Sequence, residues 1–83
     1  MTRLDRLIEE FRNCRGPYPY RDLVRLLEHL GYGASSAGGG SGRKFVHGVT
    51  GDIIRFHEPH PGKEILPYLV RQIRDHLKER GLL

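Results

Sequence analysis

Several things are scarce in this 83-residue chain. It has one cysteine, Cys14, so an internal disulfide framework and a cysteine-only zinc site are both excluded. A single thiol fits a reducing compartment. No apolar run approaches the roughly 20 residues of a membrane-spanning helix, and no signal-peptide pattern opens the chain. The expected location is therefore cytoplasmic, with no membrane contact. Runs of like charge are missing too, and the acidic residues are scattered rather than paired, which leaves no glycosidase-like carboxylate pair. No Ser-His-Asp pattern stands out. The Gly38–Gly42 stretch lacks the Gly-x-x-x-x-Gly-Lys-Ser/Thr pattern of a nucleotide-binding loop and precedes a strand-like segment rather than a helix.

What is present is enough for one small core. Leu, Ile, Val and Phe make up 23 of the 83 residues, above the level at which chains fail to collapse. The 14 Lys and Arg against 10 Asp and Glu leave a net charge of +4. This mild excess suits an anionic partner. It is spread over the chain, at +1, +2 and +1 for residues 1–31, 32–63 and 64–83.

Periodicity divides the chain. Leu4, Leu7, Ile8 and Phe11 form one helical stripe. The segment from Gly16 to Pro19 then breaks the helix with one glycine and two prolines. Tyr18 and Tyr20 either pack this linker or stack on bases. Leu23, Leu26, Leu27 and Leu30 mark a second helix, with Gly31 as its stop. Residues 32–37 form a possible short strand, followed by a glycine loop over 38–42. That loop is either a hairpin connection or a set of backbone N–H groups near a phosphate, with Arg43 and Lys44 behind it. Strands are expected near 43–47 and 53–57, paired as an antiparallel hairpin. A last helix runs from about 66 or 67 to 80, with Leu66, Leu69, Val70, Ile73 and Leu77 on its apolar side. The order implies an α+β fold, with helices on one sheet face and the other face open to water or a ligand.

Three of the five histidines, His47, His57 and His60, lie close together in the sequence. In the stretch His57-Glu58-Pro59-His60-Pro61 the two rings can act as proton donors and acceptors near neutral pH. They can instead end a strand and pack a corner. As metal ligands they lack partners at motif spacing, so no metal site and no cofactor is expected. Strand alternation points His47 to the core with Phe45 and leaves Lys44 on the open face. His29 and His76 sit in helices, where a polar ring is ordinary.

Four segments together resemble one family. Arg21-Asp22-Leu23-Val24-Arg25-Leu26-Leu27-Glu28-His29-Leu30-Gly31-Tyr32 is similar to the opening helix of the HicA toxin ribonucleases. Gly40-Ser41-Gly42-Arg43-Lys44-Phe45-Val46-His47 resembles their Gly-Ser-His strand, and Ile54-Arg55-Phe56-His57-Glu58-Pro59-His60-Pro61 their third strand and closing Pro-His-Pro. Leu69-Val70-Arg71-Gln72-Ile73 resembles their last helix. The resemblance covers about residues 20–83 and leaves residues 1–19 as an N-terminal helix and Pro-rich linker.

It implies a double-stranded-RNA-binding-like fold (helix, three antiparallel strands, helix), here with an extra N-terminal helix. It also implies metal-independent cleavage of messenger RNA and neutralisation by a HicB-like antitoxin protein. Where the family carries its catalytic histidine, this sequence has Gly42. Three explanations follow. Proton transfer has moved to His57 or His60, or Arg43 supports an altered site, or the domain binds RNA or protein without cutting. Under the first, His57 projects towards the space above Gly42, beside Arg43 and Lys44. Arg43, Lys44, Arg55 and Arg71 are the expected phosphate contacts.

Overall fold

The computed structural model describes residues 3–36, 42–59 and 62–83. Among them the order is α1 (Arg3–Asn13), β1 (Tyr18–Pro19), α2 (Tyr20–His29), β2 (Tyr32–Ser36), β3 (Gly42–His47), β4 (Ile53–His57), β5 (Glu64–Ile65) and α3 (Pro67–Glu79). His60 and the loop over residues 37–41 lie outside the described residues.

Strands β2, β3 and β4 form an antiparallel sheet in chain order. With α2 before it and α3 after it, this is the expected helix–three strands–helix arrangement. Two details differ from the sequence reading. Gly42 is the first residue of β3 rather than the last of the glycine loop. The proline-rich linker also forms a short strand of its own, β1, which pairs antiparallel with β5. The Tyr20 N–H donates to the Lys63 carbonyl at 2.9 Å and extends that pairing. The β1–β5 pair thus ties the start of α2 to the segment leading into α3.

The pleat sorts the sheet residues. Phe45 lies opposite Ile54, and Arg43 lies opposite Phe56. Tyr32, Phe45, Ile54 and Phe56 are buried on the face covered by helices. They meet Leu23, Leu26 and Leu27 of α2 and Val70, Ile73 and Leu77 of α3 in one core. Phe45 and Phe56 stack at 5.5 Å, and Tyr20 meets Phe56 edge-on at 6.0 Å. Helix α1 joins the same core through Leu7 and Phe11, and the Phe11 ring meets Tyr18 edge-on. Each helix owes its place mainly to the apolar stripe it buries, since helices this short are marginal alone.

The glycine stop expected after α2 is present, and α3 also ends at a glycine. Gly31 and Gly81 take positive φ after α2 and α3. At Gly81 the Leu82 N–H donates to the Leu77 carbonyl and the Gly81 N–H to the Lys78 carbonyl, closing a Schellman motif. Among the described residues no helix is long and apolar enough to cross a membrane.

Candidate nucleic-acid interface

The uncovered sheet face is built by the β3–β4 register. Gly42 pairs with His57, and Lys44 with Arg55. The His47 N–H donates to the Asp52 carbonyl at 2.8 Å, so the 47–52 pair is of the hydrogen-bonded type. Alternation then makes 44–55 and 42–57 the closely approaching, non-hydrogen-bonded pairs. Lys44 and Arg55 therefore stand directly opposite each other, and His57 stands opposite a residue with no side chain. Lys44 is half-buried, while Arg55 and His57 are exposed.

Arg43 is separated from this group. Its position on β3 puts it on the face of Phe45, opposite Phe56. There its guanidinium pairs with Glu58 at 2.7 Å. Burial, followed by the Glu58 carboxylate, pushes the nearby Tyr20 phenol up, and Arg43 opposes the shift. From the sequence, His57 is expected beside both Arg43 and Lys44. The pleat allows that for Lys44 and turns Arg43 to the other side. Arg71 is exposed on α3.

A groove of about 470 Å³ opens between β4 and the start of α3. Arg55 and His57 line its sheet side, with Tyr68, Leu69 and Gln72 on the helix side. Among the described residues no group of three or more His, Cys, Asp or Glu side chains stands together as a metal site.

His47 serves the fold. Its Nδ1 accepts from the Val49 and Thr50 N–H groups at 3.1 and 3.2 Å. The proton therefore sits on Nε2, which donates to the Leu30 carbonyl at 3.0 Å. With both nitrogens committed, this ring fastens the β3–β4 turn to the end of α2.

A second polar cluster, not expected from the sequence, centres on Asp52. Asp52 Oδ2 accepts from the Tyr32 hydroxyl and from His76 Nε2, each at 2.6 Å. Its Oδ1 accepts from Arg80 Nε at 2.9 Å. Partial burial works to raise the Asp52 carboxyl, but these three donors prevail and hold it well below the ordinary range. For Tyr32, burial and the bond to Asp52 push the phenol up. The four residues lie on β2, the β3–β4 turn and the C-terminal end of α3. No local spacing links them, so a single sequence carries no signal for the cluster.

The arrangement is a small α+β domain with helices on one sheet face and paired cations on the other. The family model of the HicA toxin of bacterial toxin–antitoxin systems matches residues 20–82, and the chain belongs to that family. No curated protein and no solved structure matches it.

Proposed function

We propose that this chain is an RNA-binding toxin that cleaves messenger RNA by metal-independent acid–base chemistry, and that a HicB-like antitoxin neutralises it in the cytoplasm. Membership in a toxin family supports the toxin role and an antitoxin partner. The observation that carries the RNA reading is the Lys44–Arg55 pair. Like charges directly opposite each other destabilise a sheet, by up to about 1 kcal/mol. Neither cation has a carboxylate partner among the described residues, whereas Arg43 and Arg80 do. A phosphate between the two relieves the repulsion and gains two charge-assisted hydrogen bonds.

In this reading His57 removes the proton from a ribose 2′-hydroxyl. The 2′-oxygen attacks the adjacent phosphorus, and the bond to the 5′-oxygen breaks. A second group returns a proton to that leaving oxygen, and His60 is the candidate from the sequence. Lys44 and Arg55 stabilise the charge of the pentavalent phosphorane. Products are a 2′,3′-cyclic phosphate and a 5′-hydroxyl. Of the other expected contacts, Arg71 is exposed and has no ion-pair partner among the described residues, and Arg43 is the least available because it holds Glu58. The second reading is a non-catalytic RNA- or protein-binding module, favoured by Gly42 standing at the position of the family's histidine.

Cleavage of a mixed RNA pool in the presence of a chelator separates the two. The wild-type chain is expected to cut. His57→Ala and His57→Asn should still fold, because the residue is exposed and outside the core, yet cut roughly 10²–10⁴-fold more slowly. Variants that fold and cut at the wild-type rate exclude His57 as the base. A wild type that binds RNA and never cuts leaves the binding module.

A further inference from the structure

The geometry points to the groove between β4 and α3 as a pocket for one unpaired RNA base, with Tyr68 as its stacking platform. This rests on the reading of the open face as an RNA-binding surface. It adds that the RNA is single-stranded where it is read, although a double-stranded-RNA-binding-like fold would suggest a duplex.

Three observations carry it. Tyr68 and Leu66 are among the large apolar side chains left most exposed, at 57% and 58%, and both line the groove. The core needs neither, and the Tyr68 hydroxyl has no partner among the described residues. An exposed aromatic face beside a cationic groove is the arrangement by which proteins hold single-stranded nucleic acid. Next, the groove shares Arg55 and His57 with the phosphate-binding face. A nucleotide whose phosphate lies between Lys44 and Arg55 therefore has its base within reach of the helix side. Finally, Glu58 and Glu64 also line the groove. The Glu64 carboxylate has no ion-pair partner among the described residues, so it repels a phosphate and accepts from the N–H groups of a neutral base; Glu58 is held by Arg43, and Gln72 offers both a donor and an acceptor. The chemistry changes from cationic on the sheet to aromatic and acceptor-rich at the helix, as backbone and base require. At about 470 Å³ the groove lies within the range of roughly 300–1,000 Å³ typical of small-molecule sites. Bases in a duplex are stacked and paired, and do not reach such a groove.

Binding of a short 2′-O-methyl RNA tests this, since it lacks the nucleophile and stays intact. The full chain is titrated with the single strand and with the same sequence as a duplex, over a range of salt. Tyr68→Ala should weaken single-strand binding about 5- to 150-fold, with an unchanged salt slope because no charge is lost. Tyr68→Phe, which keeps the ring, should stay within about threefold of wild type. Duplex binding should not respond to either change. If Tyr68→Ala binds the single strand like wild type while Lys44→Ala flattens the salt slope, the pocket is refuted and the RNA reading stands. A uniform loss on both RNAs also refutes it. If the wild type binds neither RNA, the reading beneath it fails and the pocket with it.

Discussion

Asp52 is the residue on which most of the polar structure converges. One carboxylate, 14% exposed, takes hydrogen bonds from Tyr32, His76 and Arg80. A donor set of this kind favours the charged form, so the folded-state value lies below that of the unfolded chain. The stabilisation is therefore complete above about pH 4, the ordinary aspartate value, and is lost as pH falls through the depressed folded value. Asp52→Asn should cost about 1.5–3 kcal/mol at neutral pH. Thermal melts from about pH 7 to about pH 2 should show wild type losing its advantage over this variant at the acid end. A constant gap at every pH contradicts the role assigned to Asp52. At this scale the sequence was informative about one strand and silent about the cluster. Alternation from Phe45 puts His47 on the covered side and Lys44 on the open side, and that is their arrangement. Nothing local told His76, bound to Asp52, from His29, which lies exposed on α2.

Among the elements, those with a strong period were legible. The 3.6-residue stripes mark the three helices to within a residue or two, and the hairpin of β3 and β4 follows from two apolar runs around a turn. Strands β1 and β5 were not legible, because two residues cannot show a period and their partners lie far apart in the sequence. The junction of α2 with the sheet depends on Gly31. Its φ of 106° disfavours any side chain, and a Cβ there would stand 2.6 Å from His47 Nε2. Gly81, at φ 74°, has no atom within 4 Å of such a Cβ. Gly81→Ala should then cost about 1–2 kcal/mol for backbone conformation alone, and Gly31→Ala about 2–4 kcal/mol. Denaturant midpoints of the two variants check this. Equal losses would mean that the His47 ring yields freely and does not fasten α2 to the hairpin.

At the scale of the whole molecule, the family match begins at residue 20, yet α1 is not a loose appendage. Phe11 is fully buried in the common core, and Arg74 Nη1 donates to the Cys14 carbonyl at 2.9 Å. Charge shows the same effect of folding on a bland sequence. The net +4 is spread thinly along the chain and predicts no patch. Folding commits Arg43 to Glu58 and Arg80 to Asp52, and it leaves Lys44 and Arg55 side by side on the open face. Both cations are legible in the sequence, but only the register shows that they face each other and that Arg43 does not join them. The central claim is that this pair holds an RNA backbone. Its most direct test is the salt dependence of binding to a single-stranded RNA. Each phosphate contact contributes about 0.7 to the slope of log K against log salt. Lys44→Ala and Arg55→Ala should each flatten the slope by about that much and the double variant by about twice as much, while Arg25→Ala, exposed on α2, leaves it unchanged. A double variant with the wild-type slope would contradict the account.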